Sequence, residues 1–381
     1  MDKDIRQVYK NNLNTFLVLL IPIAIFAKVI EEILLPANYF FDSNRINSMV
    51  VDIHVKTGWY SGTYKETTDF FRTINVFHFT ERIQWSLFLG TLMMIVVILM
   101  FKRVKGLDTS QIVFAAMCVG LLNIYIFNIS KDVLQFGIFC IIYIVLIIKK
   151  LPLILKALIT AALMYWESSV YRSYYIIMAF FFIIIFIVFH ILRKNSKKLR
   201  FMHYLFIIVG IYAMVFCFLL GARTFYKKEY NQIMETRNYS NKQNQTSAIK
   251  EPIEHNGDLG KFFIDYMINS VRMMFPIELV TIGVFYLPFF AFQIFMLFYL
   301  IRGIKRMDEL DDKSFIALCV FIAYYLGSVL FEPDFGSFVR HETATFPVIM
   351  LMVFNETMYN EKAFKEIKLL EKEDKELVTD F

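Results

Sequence analysis

The sequence has few charged residues for its length. Only 19% of its 381 residues are Asp, Glu, Lys or Arg, and 57% are hydrophobic. A soluble globular domain usually has about 25% charged residues. Apolar runs long enough to cross a bilayer recur from one end of the chain to the other. The composition therefore excludes a soluble globular domain and predicts an integral membrane protein.

Several functional signatures are missing from the sequence. It has no Walker phosphate-binding motif, no zinc-ligand spacing, no Gly-rich dinucleotide turn and no internal repeat. This pattern disfavours an ATP-driven pump and indicates no cofactor, although a divalent metal remains open. The four cysteines lie inside apolar runs, where Cys usually serves as a small hydrophobic residue. We therefore expect these cysteines to form no disulfide and no metal site.

The apolar runs favour helices over a barrel. Only these two structures satisfy every backbone group in lipid, and the runs lack the polar and apolar alternation of barrel strands. We predict an all-α integral membrane protein, one polytopic domain over 1–381 with about ten transmembrane helices. The expected spans are 13–36, 84–101, 108–127, 132–148, 151–166, 173–192, 201–221, 276–301, 315–331 and 345–358.

The basic residues predict the orientation. The net charge is +6, and Lys and Arg collect at the N-terminus and after every even-numbered span. This distribution is typical of cytoplasmic span ends and not of a patch that binds nucleic acid. Both termini, the tail 361–381 and the loops near Lys197 and Lys305 are then cytoplasmic. The long loops 37–83 and 222–275 face the other side, and their mixed aromatic and polar residues predict amphipathic helices at the membrane interface.

Three short loops on the predicted outer face carry a cation close to a carboxylate. They contain the sequences Asn-Ile-Ser-Lys131-Asp, Glu167-Ser-Ser-Val-Tyr-Arg172 and Glu-Pro-Asp334-Phe-Gly-Ser-Phe-Val-Arg340-His341-Glu. Charges at membrane depth are costly and usually mark a site or an internal partner. A planar guanidinium also suits phosphate, because it can donate two parallel bonds. The loops predict a shared polar cavity with a positive floor.

Each of these features also has a structural interpretation. Ser130 can cap the fourth span, and Glu167 can pair with Arg172 to close a hairpin. In the first outer loop, Asp42 can be solvated or capping. Lys28, near the end of the first span, can neutralise the carboxylates of the same helical turn.

The motifs around these charges resemble those of bacterial polysaccharide polymerases. Asn-Ile-Ser-Lys-Asp, Tyr-Arg-Ser-Tyr-Tyr and Phe-Glu-Pro-Asp-Phe-Gly-Ser-Phe-Val-Arg-His-Glu, each placed before a span, are similar to loops of the Wzy-type proteins of O-antigen and capsule synthesis, including the EpsG-like group. The resemblance implies a GT-C-like glycosyltransferase of the bacterial cytoplasmic membrane. It implies an undecaprenyl-diphosphate-linked glycan as substrate, and flippase and chain-length regulator proteins as partners.

The resemblance also implies roles for individual residues. By position, Asp42 matches the acidic residue of the first outer loop that is linked to activating the acceptor. The other candidates for the base are Glu167, Asp334 and His341. The diphosphate would be bound by three cations, which are Lys131, Arg172 and Arg340. Two alternatives stay open, a flippase or transporter for lipid-linked glycans and a polyprenyl-phosphate-sugar-dependent transferase that adds single sugars.

Overall fold

A computed structural model describes residues 2–52, 54, 60–195, 201–242, 247–254 and 257–369. Within these ranges the secondary structure is helical, with one isolated antiparallel bridge between Ala248 and Asp334. The chain is therefore an all-α membrane protein, as predicted. Some residues used in the topology prediction lie outside the described ranges, namely Lys197 with its basic neighbours and the tail from 370 onward.

The helices belong to two compact units. The first contains the residues up to Ile147 and those from Thr343 onward, and the second is Ile148–Glu342. The helices of the first unit are α1 (Asp2–Val29), α2 (Phe41–Val51), α3 (Gly62–Ile74), α4 (Arg82–Phe101), α5 (Thr109–Leu121), α6 (Lys131–Ile147) and α16 (Phe346–Val353). Those of the second are α7 (Leu153–Val170), α8 (Tyr175–Asn195), α9 (Phe201–Phe225), α10 (Lys227–Lys242), α11 (Leu259–Met274), α12 (Glu278–Ile282), α13 (Leu287–Lys305), α14 (Asp312–Phe331) and all but the end of α15 (Phe335–Ala344). That 1–381 forms one polytopic domain stays a prediction.

Eight helical segments are long and apolar enough to cross a membrane. They are Ile5–Leu34, Arg82–Phe101, Thr109–Ile126, Leu153–Val170, Tyr175–Lys194, Met202–Phe225, Val284–Lys305 and Asp312–Phe331. The expected span 132–148 is α6, whose 17 residues lie at the short end of the spanning range. In the expected span 345–358, the α-helix is limited to the eight residues of α16, about 12 Å long, and a 3-10 turn follows at Glu356–Met358. α16 is therefore too short to cross a bilayer alone.

Burial separates a core helix from lipid-facing ones. Almost all of α14 is buried, and it packs on α8 and α11 at the centre of the second unit. By contrast, α1 and α9 expose large apolar side chains such as Val18 (73% exposed) and Phe206 (68% exposed). Exposed apolar surface on this scale is unfavourable in water but is expected where a helix faces lipid.

Polar side chains determine where several helices begin. At α4, Glu81 and Gln84 form a reciprocal capping box. At α5, Asp108 accepts the Gln111 backbone N–H at 2.8 Å, and Gln111 completes a second capping box. Each cap satisfies N–H groups that a first helical turn leaves without a partner. The two long predicted outer loops contain α2 and α3 and then α10 and α11, while their position at the membrane interface stays a prediction.

Segments from both ends of the chain meet in the first unit. The rings of Tyr9 and Tyr359 pack edge to face, with centroids 4.7 Å apart. The Tyr359 hydroxyl donates to the carbonyl of Gly106 at 3.0 Å, and the Asn360 side chain donates to the Tyr9 hydroxyl at 3.2 Å. The start of α1, the segment after α4 and the segment after α16 therefore lie on one side of the membrane. That this side is cytoplasmic stays a prediction.

Thiol labelling in intact cells tests the orientation. In a variant without native cysteines, we expect an impermeant reagent to label Lys65→Cys on α3 and to spare Asp308→Cys, which lies between α13 and α14. The reason is that the residues near Asp308 are rich in Lys and Arg, which remain cytoplasmic. Both positions are exposed, so accessibility within the protein does not separate them. Labelling of Asp308→Cys with protection of Lys65→Cys would contradict the predicted topology.

Candidate functional site

The first unit brings Asp42 and Lys131 together, although 89 positions separate them in the numbering. The Lys131 ammonium lies 3.0 Å from Asp42 Oδ2, and the Tyr64 hydroxyl donates to Asp42 Oδ1. The ammonium also lies 4.0 Å from the centroid of the Tyr64 ring, where a cation is attracted to the aromatic face. We call these three residues the Asp42 cluster. The Lys131 ammonium and the Tyr64 hydroxyl both favour the ionised form of the Asp42 carboxylate.

The helices of the first unit explain how these side chains are placed. Asp42 lies in the first turn of α2, where the helix dipole stabilises a negative charge. Lys131 is the first residue of α6, where the dipole disfavours a cation, and Asp42 compensates this cost. Ser130 accepts the Val133 backbone N–H at 3.3 Å, so the capping role anticipated for Ser130 is present as well.

A buried ammonium lies in the same unit. Lys28 Nζ donates to Glu31 Oε2 at 2.8 Å and to Ser86 Oγ at 2.6 Å. Two backbone oxygens, of Asn123 and Phe127, also lie 2.6 and 2.9 Å from this nitrogen, so its three N–H groups serve four acceptors. These carbonyls are accessible because α5 continues into a π-helical turn, which changes the register of the backbone hydrogen bonds. Lys28 thus ties α1 to the end of α5.

Glu31 is the central acceptor of this network. Its side chain is fully buried, and it accepts from Ser86 at 2.7 Å, from Asn128 at 2.6 Å and from Arg82, which also pairs with Glu32. The expected pairing within the first span is therefore confirmed for Lys28 and Glu31, whereas Glu32 pairs with Arg82 instead. The contributions of Arg82 and Asn128 were missed, because no spacing rule connects residues that are far apart in the chain. Through Asn128 the network holds the segment that leads into Lys131.

The second unit brings together two of the three short predicted outer loops. Arg172 Nη1 donates to the Tyr174 hydroxyl at 2.8 Å, and the Tyr174 ring stacks on Phe331 with centroids 5.1 Å apart. The next residue, Glu332, is buried, and its Oε1 lies 2.8 Å from His341 Nδ1. Burial raises the pKa of Tyr174, whereas the charge of Arg172 opposes this. We call these five residues, Arg172, Tyr174, Phe331, Glu332 and His341, the Tyr174 cluster.

Glu167 lies close to the Tyr174 cluster. It is fully buried near the end of α7. Within the described ranges, neither of its carboxylate oxygens has a hydrogen-bond partner. The charge of Arg172 and the Tyr175 hydroxyl act on it electrostatically. Its backbone oxygen accepts the N–H groups of Tyr171 and Arg172 at 2.8 and 3.1 Å, which ends the helix. Glu167 and Arg172 are therefore linked through the backbone, and the predicted pairing of their side chains is not formed.

Arg237 on α10 is a residue that the sequence pattern did not identify. It is 2% exposed, donates from Nη1 to the backbone oxygen of Glu332 at 2.8 Å, and lies 3.6 Å from Glu251. Burial lowers the pKa of Arg237, and the charge of Glu251 opposes that shift. The segment 247–249 also pairs with residues 333–335 through two backbone bonds of 3.0 and 2.9 Å. The second long loop thereby supports the backbone that carries Glu332.

The remaining predicted residues lie on or beside α15. Asp334 caps this helix, since its two oxygens accept the backbone N–H and the hydroxyl of Ser337, each at 2.8 Å. This contact gives Asp334 a structural role. Arg340 is half-buried on the same helix, one residue before His341.

Glu342 is a buried acid that was not predicted as a site residue. It accepts a hydrogen bond from Gln293 of α13, and it lies outside the eight candidate spans. Burial raises the pKa of Glu342 to about 8, although the bond from Gln293 opposes the shift. At neutral pH this group therefore carries a proton in the folded protein.

The protonation of Glu342 predicts a pH-dependent stability. Below about 4.5 the folded and unfolded chains both hold the proton, but between 4.5 and 8 only the folded chain keeps it. Stability should therefore fall as pH rises through this window, because the unfolded state gains by releasing the proton. Denaturant titrations in micelles should show this fall, and Glu342→Gln should flatten it, whereas the exposed control Glu361→Gln should not. Equal pH slopes for both variants would contradict the assignment.

Comparisons with known proteins give no further assignment. No protein-family model, curated protein or solved structure matches the chain. Within the part of the chain that the structure describes, no group of three or more His, Cys, Asp or Glu side chains is arranged to hold a metal ion.

Proposed function

We propose that this membrane protein is a glycosyltransferase that polymerises undecaprenyl-diphosphate-linked repeat units into a surface polysaccharide. In this reaction a hydroxyl of one lipid-linked unit attacks the anomeric carbon of the growing glycan on another. The new glycosidic bond forms as the bond to the diphosphate breaks, and the lipid diphosphate leaves with the electron pair. The acceptor proton passes to a base of the protein. The resemblance in the loop motifs suggests this reaction, and the side-chain geometry supports it.

The observation that carries the proposal is the Tyr174 cluster. Arg172 and His341 belong to loops far apart in the sequence. Arg172 bonds Tyr174, His341 bonds Glu332, and the Tyr174 ring stacks on Phe331, the residue before Glu332. A guanidinium can stabilise the charge that develops on a leaving diphosphate. An imidazole oriented by a carboxylate suits the movement of a proton near neutral pH. The second unit therefore contains a cation and a proton-transferring group of the chemical types that the transfer requires.

The Asp42 cluster supplies a second set of the same chemical types. Lys131 and Tyr64 favour the ionised form of Asp42, and a general base needs this form in order to accept a proton. The cluster is partly exposed, with 24% of the Asp42 side chain and 16% of the Lys131 side chain accessible. Within the first unit, Asp42 is our candidate for the base and Lys131 our candidate for a phosphate contact.

Substitution of Arg172 tests the role of the guanidinium. We expect Arg172→Lys to lower the rate of chain extension by roughly 10² to 10³, because lysine keeps the charge but loses the planar two-pronged donor. The assay uses purified protein and lipid-linked repeat units, with product length read on a gel. Arg340→Lys should show a similar loss if both arginines contact one diphosphate.

The matched control is Arg193→Lys. Arg193 lies at the opposite end of α8, where it bonds Asp312 at 3.2 Å and the backbone oxygen of Leu310 at 2.6 Å. The Arg193→Lys variant should retain the wild-type rate, since Arg193 lies at the predicted cytoplasmic end of the helix. Normal extension by Arg172→Lys and Arg172→Ala, at normal protein levels, would show that Arg172 only closes the turn before α8.

A further inference from the structure

A cavity lies at the end of the first unit where segments from both chain ends meet. Its volume is about 390 Å³, and its lining includes Arg6, Tyr9, Lys10, Lys105, Glu356 and Tyr359. Small-molecule sites in proteins commonly have volumes of about 300–1,000 Å³. None of these residues belongs to the Asp42 cluster or the Tyr174 cluster. The cavity therefore needs an explanation separate from the proposed reaction.

Cations from two parts of the chain surround this cavity. Arg6 and Lys10 are four residues apart on α1, a spacing that puts both on one face of the helix, and both are exposed. Lys105 is contributed by the segment after α4, and its side chain is 75% exposed. The lining holds one carboxylate, Glu356, which lies 2.6 Å from Lys105. The lining residues therefore carry a net positive charge.

Two aromatic side chains make one wall of the cavity rigid. The Tyr9 and Tyr359 rings contact each other, and their hydroxyls bond Asn360 and Gly106. The nearby carboxylate of Asp108 is already engaged, since it accepts the backbone N–H of Gln111 at 2.8 Å and that of Asn360 at 3.2 Å. The cations are thus presented beside a preformed wall, which lowers the ordering cost of binding a ligand.

We propose that this cavity binds a phosphate-bearing anion, either the headgroup of an anionic phospholipid or a free phosphate compound. Arginine and lysine suit phosphate oxygens, and tyrosine is common at the headgroup level of membranes. The cavity lies beside the first residues of a candidate span, at the end predicted to be cytoplasmic. That surface of a bacterial membrane carries anionic lipids, which attract clustered Lys and Arg. The proposal does not depend on the polymerase reaction.

Lipid binding to the full chain tests the proposal. The purified protein is titrated with phosphatidylglycerol in micelles, and bound lipid is counted by native mass spectrometry. A parallel titration uses phosphatidylcholine, and a third uses inorganic phosphate with thermal unfolding as the readout. We expect Arg6→Gln/Lys10→Gln to weaken phosphatidylglycerol binding about 25-fold, since each cation contributes about fivefold. Arg6→Lys/Lys10→Arg, which keeps both charges, should bind as the wild type does.

The control is Lys149→Gln/Lys150→Gln, a neighbouring pair of exposed lysines at another predicted cytoplasmic end that does not line the cavity. It should leave binding at this site unchanged. If Arg6→Gln/Lys10→Gln loses only phosphatidylglycerol binding, the ligand is a lipid headgroup. If it loses only the stabilisation by phosphate, the ligand is a free anion. Equal losses in the lining and control variants would overturn the proposal, and so would equal binding of phosphatidylcholine with no effect of phosphate.

Discussion

Asp42→Asn should stop chain extension while the protein still accumulates and binds lipid-linked substrate. Asparagine nearly preserves the size of the side chain and can still accept a hydrogen bond from Tyr64, but it cannot take the acceptor proton. Loss of general-base catalysis typically lowers a rate about 10²- to 10⁴-fold. The measurement is the initial rate of extension of purified repeat units, normalised to the amount of protein in the membrane.

The same outer segment supplies a matched control for Asp42. Asp69 on α3 accepts a hydrogen bond from Tyr60 at 2.5 Å and lies 3.7 Å from Arg72, so it also forms a group of carboxylate, phenol and cation. Asp69→Asn should extend chains at the wild-type rate. If Asp42→Asn extends normally while Glu167→Gln or His341→Ala does not, the base belongs to the second unit and the polymerase proposal stands. Activity in all of these variants would exclude both clusters as the active site.

Glu31→Ala should destabilise the protein by about 3–5 kcal/mol. The substitution removes the acceptor shared by Lys28, Arg82 and Asn128 and leaves a buried ammonium without its carboxylate. The free energy of unfolding is measured by denaturant titration in mixed micelles. Glu32→Ala is the control. The Glu32 side chain is 26% exposed and pairs with Arg82, which Glu31 also binds, so the loss should be about 0–1 kcal/mol.

A double variant separates the ion pair from the shape of the side chains. Lys28→Met/Glu31→Leu replaces the buried pair with apolar groups of similar size and should recover most of the lost stability, as buried pairs often tolerate such replacement. Equal stability of wild type and Glu31→Ala would contradict the view that this network holds α1 against the segment that leads into Lys131.

The helices were predictable from the sequence because spanning segments need long apolar runs, whatever their packing partners. Helix ends were less predictable. The expected span 345–358 was read from apolar composition, but the helix there ends at Val353, and composition alone does not specify such an end. The division into two compact units has no signature in hydropathy, because it depends on which helices pack together.

The site was predictable only in part. The sequence grouped the charges of the short outer loops, and the loops that carry Arg172 and His341 do meet in one cluster. The ion pair between Asp42 and Lys131 was not predicted. Tyr64 and Arg237 were not predicted, because they come from helices within the long loops and pack against distant segments. No sequence signal singles out Arg237, since the loop 222–275 contains seven other Lys or Arg residues.

The central claim is that the chain itself joins lipid-linked repeat units. The most direct test reconstitutes the purified protein in vesicles, adds undecaprenyl-diphosphate-linked repeat units and separates the products by size. We predict a ladder whose steps equal one repeat unit, together with release of undecaprenyl diphosphate. Addition of one sugar, or movement of the substrate across the bilayer with no new glycosidic bond, would contradict the claim.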